Sequence, residues 1–443
     1  MNLITITIQN PWWRNKNEIL KDEKVERALH SHPEYTYKYR DENIILLGPR
    51  QVGKTTFIKL IIRDLLLFKN VNPKNILYLT CDFIDDKNDI KTALDFFDEQ
   101  SDKNNKKYIF LDEISFVKNW NVFILGLFNS GYLKDKRIYL TGSSSISLLK
   151  ETFPGRDIIK ILFLPMQFKE YVDLFYTKIW EGTNINIENI NDVYKLSLDV
   201  FPYIEDLNKA LNDYLYTGGF LWPAYIYKNN KDPINELYEI YKDAFISDIS
   251  KLNKNQRFYR EIINEILLGY TSRLSANSIS KNTSIGSHKT VEEYLDIMEK
   301  LFIIKIFNKK IDNKIMYRSN KKIYFTDPFI YRIMKMFVTG DQFFRENEES
   351  KIIEGIVGIH LYNIYNDIYY VQTKKGKEVD FVYKDTGVEV KYGNKKINNL
   401  YYSKGYLLTK NDIPKIEGDK VSIPLSIFLY IISTKNKLTN NPP

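Results

Sequence analysis

Gly48, Pro49, Arg50, Gln51, Val52, Gly53, Lys54, Thr55 and Thr56 are consecutive and match the spacing G-x-x-x-x-G-K-[ST]. In that pattern the glycines let successive backbone N–H groups curve around phosphate oxygens. Lys54 is then placed to reach the β- and γ-phosphates, and the Thr55 hydroxyl to ligate Mg²⁺. The run Tyr108-Ile-Phe-Leu-Asp-Glu113 ends an apolar stretch in two carboxylates. Phosphoryl transfer to water asks the protein for positioned charge and little covalent chemistry. Asp112 is therefore expected in the Mg²⁺ shell, and Glu113 is expected to polarise the attacking water. ATP and Mg²⁺ are the expected ligands, and the acidic pair points to water as acceptor, against a kinase or transferase.

A second set of chemistry-bearing residues lies near the end of the chain. Asp380 sits in one expected strand, and Glu389 and Lys391 in the next, where two-residue spacing places both on one face. Glu354, on a preceding helix, could add a carboxylate. Glu354, Asp380 and Glu389 could hold one or two Mg²⁺ or Mn²⁺ ions, with Lys391 positioning or activating a water. The plain alternative is a solvated hairpin, because short E-x-K strings are frequent in a lysine-rich chain. Between Val371 and Lys410 nine lysines face four acidic residues, an excess suited to a phosphate backbone. Tyr383, Tyr392, Tyr401 and Tyr402 among them could stack on bases or simply pack a small core.

The elements that must position these groups follow from hydrophobic patterning. Asn43 to Gly48 is a short apolar run, and Thr55 to Phe68 repeats apolar residues at helical spacing. Further apolar runs at Ile76 to Thr80, Tyr108 to Leu111, Ile138 to Thr141 and Ile158 to Leu164 alternate with crossovers, which implies a mainly parallel sheet covered on both faces. The run at Ile76 to Thr80, between the two motifs in sequence, points to a strand interposed between the phosphate-loop strand and the acidic strand. The end of the Ile138 strand, Thr141-Gly-Ser-Ser144, offers a hydroxyl that senses the γ-phosphate or is a plain polar strand end.

Phe168 to about Leu268 reads as aromatic-rich helical text with breaks at Gly218-Gly219 and Pro223. From Leu274 two short amphipathic helices flank a Ser-Ile-Gly turn and an apolar strand follows at Ile303 to Phe307, the outline of a winged helix-turn-helix. Its second helix starts near Ser287 and would present Ser287, His288, Lys289 and Thr290 to a DNA groove, or else the module packs against its neighbours. A helix is expected near Lys351 to Tyr362, then strands at Ile368 to Gln372, Glu378 to Tyr383, Gly387 to Lys391 and Gly405 to Leu408. The tail after Lys435 reads as unstructured.

Taken with Asn119-Trp120, Pro154-Gly155-Arg156, Leu164-Pro-Met-Gln-Phe-Lys-Glu-Tyr, Asn10-Pro-Trp-Trp-Arg14, Gly218-Gly-Phe-Leu-Trp-Pro223, Lys322-Ile-Tyr-Phe-Thr-Asp-Pro328 and Glu378-Val-Asp-Phe, these motifs resemble archaeal and bacterial AAA-type ATPases with a C-terminal DUF4143 domain. The resemblance implies an α/β chain: a P-loop ATPase core with a parallel sheet at 1–166, an α-helical lid at 167–268, a winged helix at 269–340 and a restriction-endonuclease-like α/β domain at 341–443. It implies Arg156 as an arginine finger, although the usual Leu-Ala-Gly-Arg stands here as Phe-Pro-Gly-Arg. It also implies a nuclease-like role for Asp380, Glu389 and Lys391. The expected function is an Mg²⁺-dependent, DNA-associated ATPase with a metal-dependent nuclease-like domain. The alternative is a nucleotide-gated DNA- or protein-binding switch whose C-terminal domain is catalytically inactive. A homo-oligomer would suit a finger acting across a subunit boundary.

The net charge of +8 permits a polyanionic partner. Cys81 is the single cysteine, which excludes an intrachain disulfide or a cysteine-based zinc cluster and fits a reducing interior such as the cytoplasm. The longest uncharged stretches, Asn121 to Leu133 and Val421 to Thr434, fall short of a membrane helix, so no membrane partner is expected.

Overall fold

The computed structural model describes residues 3–31, 40–82, 84, 86–143, 153, 155–182, 185–230, 235–312, 314–340, 348–372, 377–391 and 400–433. The chain divides into two units. The first runs to Leu164 and includes the stretch Lys300–Phe302, and the second runs from Pro165 to Glu299 and onward from Ile303. Apart from Lys300–Phe302, the described residues of the lid, winged-helix and nuclease-like segments expected after residue 166 belong to the second unit.

In the first unit, strands β1 (Ile44–Leu47), β2 (Ile76–Thr80), β3 (Lys107–Asp112), β4 (Lys136–Gly142) and β5 (Ile159–Leu162) form a parallel sheet in the order β2-β3-β4-β1-β5. A strand buried on both faces carries apolar side chains at every position, and all four residues of β1 are buried. Alternation sends Ile45 and Leu47 to one core with Leu77, Ile109, Leu140, Leu94 and Phe97. Ile44 and Leu46 join the other, with Phe57, Ile58, Ile61 and Leu65 of the helix Lys54–Leu67. A strand does separate the phosphate-loop strand from the acidic strand. It is β4, however, while β2 lies at the outer edge, because β2 and β3 pair directly from Ile76↔Tyr108 to Thr80↔Asp112.

Among the described residues the second unit opens with six α-helices between Phe168 and Leu268. Pro223 does not break them. It sits third in the helix Leu221–Asn230, within the first turn, where its missing N–H has no intrahelical partner to lose. The break at Gly218 is real and has a steric cause: its φ is +61°, and a Cβ there would lie 1.9 Å from Oδ1 of Asp327. Asp327 accepts hydrogen bonds from the N–H of Gly219 and of Phe329, each at 2.8 Å, so two sequence-distant motifs are one structural joint.

The helices Ala276–Asn282 and His288–Lys300 are followed by a small antiparallel sheet of β6 (Arg273–Leu274), β7 (Ile304–Phe307) and β10 (Lys321–Phe325) in the order β6-β10-β7. Between β7 and β10 the hairpin β8 (Lys309–Ile311) and β9 (Lys314–Met316) leaves that sheet and extends another. With β11 (Tyr369–Gln372), β12 (Glu378–Tyr383), β13 (Thr386–Val390), β14 (Lys404–Thr409), β15 (Lys415–Glu417) and β16 (Lys420–Pro424) it makes eight strands in the order β15-β16-β14-β13-β12-β11-β8-β9. The helix Glu349–Tyr365 packs on this sheet, as does Leu425–Ile432, whose eight residues are all buried. The uncharged stretch after Val421 is thus a strand and a core helix. Among the described residues no helix is long and apolar enough to cross a membrane. The tail after Lys435, Ser144 and Tyr392 lie outside the described residues.

Candidate nucleotide site

The phosphate loop leaves β1 at Gly48, where a Cβ would lie 1.9 Å from the Phe163 carbonyl oxygen, so no larger residue fits beside the exit of β5. The backbone then turns through two left-handed residues, Gln51 (φ +62°) and Gly53 (φ +110°). Gly53 caps the helix Lys54–Leu67 with no side chain, so the first-turn amides keep their partial positive charge for an anion. Arg50 in the loop lies 3.5 Å from Asp82.

Lys54 is buried, and its ammonium donates to the carbonyls of Gly48 at 3.0 Å and Pro49 at 2.9 Å. It also lies 3.7 Å from Oε1 of Glu113. The Thr55 hydroxyl donates to Oδ2 of Asp112 at 2.8 Å, so the two residues named for the metal are in direct contact. Asp112 is buried at the end of β3, accepts a second bond at Oδ2 from the Tyr78 hydroxyl at 2.9 Å and one at Oδ1 from Thr141. Burial, and then the neighbouring Glu113 charge, raise its pKa, and the three hydroxyls offset part of that rise.

Glu113 stands in left-handed backbone, φ +56°, directly after the strand. Its N–H donates to the Thr141 hydroxyl at 2.8 Å, and its Oε2 accepts from the Ser143 N–H at 2.9 Å. The Thr141 hydroxyl, open in the sequence between sensing a phosphate and ending a strand, is used to hold Asp112 and Glu113 together. Ser143 Oγ is buried and has no hydrogen-bond partner among the described residues. All the donors around Asp112 are oxygens, the set that suits Mg²⁺, so the residues present fit that ion. A Thr, an Asp and the ligand's own phosphates need no larger protein cage.

The C-terminal carboxylates also converge, but around a cation of the chain's own. The Lys322 ammonium, at the start of β10, lies 3.1 Å from Glu354, 2.5 Å from Glu378 and 3.0 Å from Asp380. Burial lowers the Lys322 pKa, but the three carboxylates outweigh it and hold the lysine firmly charged. Lys391 stands 3.6 Å from Asp380, and the N–H of Val390 donates to Asp380 at 2.9 Å. Burial pushes Asp380 up, but Lys322 and Lys391 pull it further down, whereas burial and Asp380 together raise Glu354. Glu389 is buried on the adjacent strand and accepts from the Tyr401 N–H at 3.4 Å. Among the described residues no group of three or more His, Cys, Asp or Glu is arranged to hold a metal ion. The residues expected to bind metal there do not fit one, because a buried ammonium stands among them.

Residues 40–172 match an AAA domain. The family model, AAA_14, spans the phosphate loop, the carboxylate pair, β4 and Arg156. A second model, a domain of unknown function (DUF8612), matches residues 208–340. It is a different domain from the DUF4143 that the sequence resemblance implied, and it ends before the segment 341–443. Uncharacterized protein MJ1544 of Methanocaldococcus jannaschii is 24% identical over 356 residues, 76% of this chain and 71% of that protein. Among solved structures, the Orc1 protein of Aeropyrum pernix in complex with DNA aligns at 12% identity over 74% of this chain and 96% of that chain, with a TM-score of 0.36. A RuvB variant of Thermotoga maritima aligns at 15% identity over 68% and 91%, with a TM-score of 0.27. TM-scores of this size do not establish a shared overall architecture.

In the first unit Arg156 is exposed and its guanidinium donates to Asn129, so it stands apart from Lys54 and Asp112 in this bonding pattern. In the second unit His288 and Lys289 are exposed at the start of the helix His288–Lys300, with Ser287 and Thr290 half-buried. Sequence reasoning missed Tyr78, which reads as one more apolar position in Ile76-Leu-Tyr-Leu-Thr80, and the charge role of Lys322. Neither carries a local signal. Each is defined by what approaches it from elsewhere in the chain.

Proposed function

We propose that this chain is an Mg²⁺-dependent ATPase that couples nucleotide turnover to association with DNA. The observation that carries this reading is the convergence of Lys54, Thr55, Asp112 and Glu113 at the end of a parallel sheet whose phosphate loop opens directly into a helix N-terminus. The phosphates of ATP lie along the loop amides, and the Lys54 ammonium exchanges the carbonyls of Gly48 and Pro49 for β- and γ-phosphate oxygens. Thr55 and Asp112 would hold Mg²⁺, which would supply charge stabilisation to those oxygens. Glu113 accepts a proton from water as the water oxygen bonds to the γ-phosphorus. The bond to the bridging oxygen breaks and its electron pair leaves with ADP. Among the described residues Ser143 Oγ is the hydroxyl of that strand end left for a phosphate oxygen, and Arg156, exposed, is available as a finger to a neighbouring copy.

DNA association rests on the net charge of +8 and on the exposed His288 and Lys289 at a helix start. For the C-terminal domain the position of Lys322 favours the reading in which it is a catalytically silent interaction module rather than a metal-dependent nuclease using Asp380, Glu389 and Lys391. Steady-state ATP hydrolysis with and without Mg²⁺, comparing wild type with Lys54→Ala, tests the first part: turnover indifferent to that change would end the proposal. Plasmid and single-stranded DNA incubated with Mn²⁺ test the second. Nicking that disappears in Asp380→Ala would restore the nuclease reading.

A further inference from the structure

As the edge strand, β2 exposes backbone groups at alternate residues on the side away from β3. The N-terminal segment fills that side with side chains in place of a strand. The Asn10 carboxamide accepts from the Tyr78 N–H at 2.6 Å and donates to the Tyr78 carbonyl at 2.8 Å, the two bonds a paired strand residue would make. Gln9 accepts from the Thr80 N–H at 2.8 Å, and the indoles of Trp12 and Trp13 donate to the Ile76 carbonyl at 3.2 and 2.8 Å. Residues 76, 78 and 80 are thus all paired, and the Asn10-Pro-Trp-Trp13 motif acts as an edge cap.

Capping an edge accounts for Asn10, Gln9 and the indoles, but not for the chemistry of Tyr78. Its ring is clamped, edge-on to Trp12 with centroids 6.5 Å apart and 3.6 Å beneath the Lys59 ammonium, which in turn lies 3.3 Å from Asp22. A phenylalanine would pack there equally well. The hydroxyl is what reaches across the sheet, and it bonds the same Asp112 oxygen that accepts from Thr55.

We propose that Tyr78 is a positioning residue for the nucleotide site, fixing the Asp112 carboxylate in the orientation that receives Mg²⁺, and that the Gln9–Trp13 cap sets its place on β2. This inference rests on the reading of Asp112 as a holder of Mg²⁺. With both Tyr78 and Thr55 bonded to Oδ2, and Thr141 to Oδ1, rotation of the carboxylate breaks at least one charge-assisted bond. Without the phenol, Oδ2 loses one of its two anchors, and ordering the carboxylate must be driven by ligand binding.

The test is calorimetric titration of the full chain with a nonhydrolysable ATP analogue, with and without Mg²⁺, alongside thermal unfolding. In wild type Mg²⁺ tightens binding. In Tyr78→Phe that metal-dependent gain shrinks by about tenfold while metal-free affinity and melting temperature stay close to wild type. Asn10→Asp keeps the acceptor for the Tyr78 N–H but loses the donor to its carbonyl, and it shrinks the same gain by a smaller factor. An Mg²⁺ gain in Tyr78→Phe equal to wild type overturns the positioning role. So does an equal fall of affinity with and without metal, which marks a structural residue only. An unchanged gain in Asn10→Asp overturns the role of the cap. Wild type with no Mg²⁺ gain would instead strike at the proposed function itself.

Discussion

Lys54 and Glu113 stand 3.7 Å apart, ammonium to carboxylate, at the mouth of the phosphate loop. The lysine would meet the phosphates and the glutamate the attacking water, so the groups that flank a reacting γ-phosphate hold one another. Ser143 restrains the same glutamate from the other side through its backbone N–H. In the proposed reaction a triphosphate entering the loop would compete for Lys54 and so change the setting of Glu113, coupling binding to the readiness of the base.

From that pairing the two variants should separate. Lys54→Ala removes the phosphate contact and is expected to weaken ATP binding by at least tenfold. Glu113→Gln leaves affinity within about threefold and lowers turnover by about 100-fold or more. Equilibrium binding and single-turnover hydrolysis measured on the same preparations check both.

Thr141→Val deletes the hydroxyl that serves Asp112 and the Glu113 N–H together. Leaving a buried N–H and a carboxylate oxygen short of a partner is expected to cost about 1–3 kcal/mol. A lower urea midpoint for the first unit should accompany reduced turnover. A variant with wild-type stability and activity would show that the hydroxyl does not hold the pair.

His360 supplies a pH dependence. Its ring is buried, with Nε2 accepting from the Phe168 N–H at 2.9 Å and Nδ1 donating to the Ile356 carbonyl at 2.9 Å, so the Nε2 lone pair that protonation would need is already engaged. Burial pushes its pKa down to about 4 from an ordinary 6.5. A depressed folded-state pKa means that the unfolded chain takes up the proton first. The stabilising contribution is therefore present above pH 6.5 and is lost as pH falls toward 4, by up to about 3 kcal/mol. Chemical denaturation at several pH values should show this slope in wild type, and a shallower one between pH 6.5 and 4 in His360→Gln.

Lys322→Met leaves the buried Asp380 and the half-buried Glu354 and Glu378 without their central cation. Breaking a buried pair in this way is expected to cost about 3–5 kcal/mol. Mg²⁺ or Mn²⁺ should then raise the melting temperature of the variant more than that of wild type, because the carboxylates have lost their internal partner. Equal metal responses would show that the ammonium does not stand in for a divalent ion.

The nucleotide half of the chain was legible because its chemistry is local. The glycines, Lys54 and Thr55 are neighbours in sequence, and the loop conformation they require, with Gly53 at φ +110°, is one that few other residues adopt. Asp112 and Glu113 close a strand whose apolar run announces it. In the C-terminal half the elements were legible but the role of the carboxylates was not, for the opposite reason. Asp380, Glu389 and Lys391 do lie on adjacent strands, but what they do depends on Lys322, 58 residues before Asp380 in the chain. Pro223 was misread on similar grounds, since a proline in a first turn resembles a break until its neighbours are known, and the strand and buried helix after Val421 were not read from the sequence at all.

By itself the amino-acid sequence determined that a phosphate-binding loop opens onto a helix, that two carboxylates end a buried strand, and that the first half alternates strand and helix. Those features follow from backbone freedom at glycine and from hydrophobic periodicity, which act over a few residues. Only the tertiary structure decided that β4 rather than β2 adjoins β1, that Thr141 and Tyr78 both grip Asp112, and that a lysine occupies the second carboxylate cluster. Those outcomes depend on which buried polar groups satisfy one another across long sequence separations, and a buried charge takes whichever partner the packed chain brings within hydrogen-bonding distance.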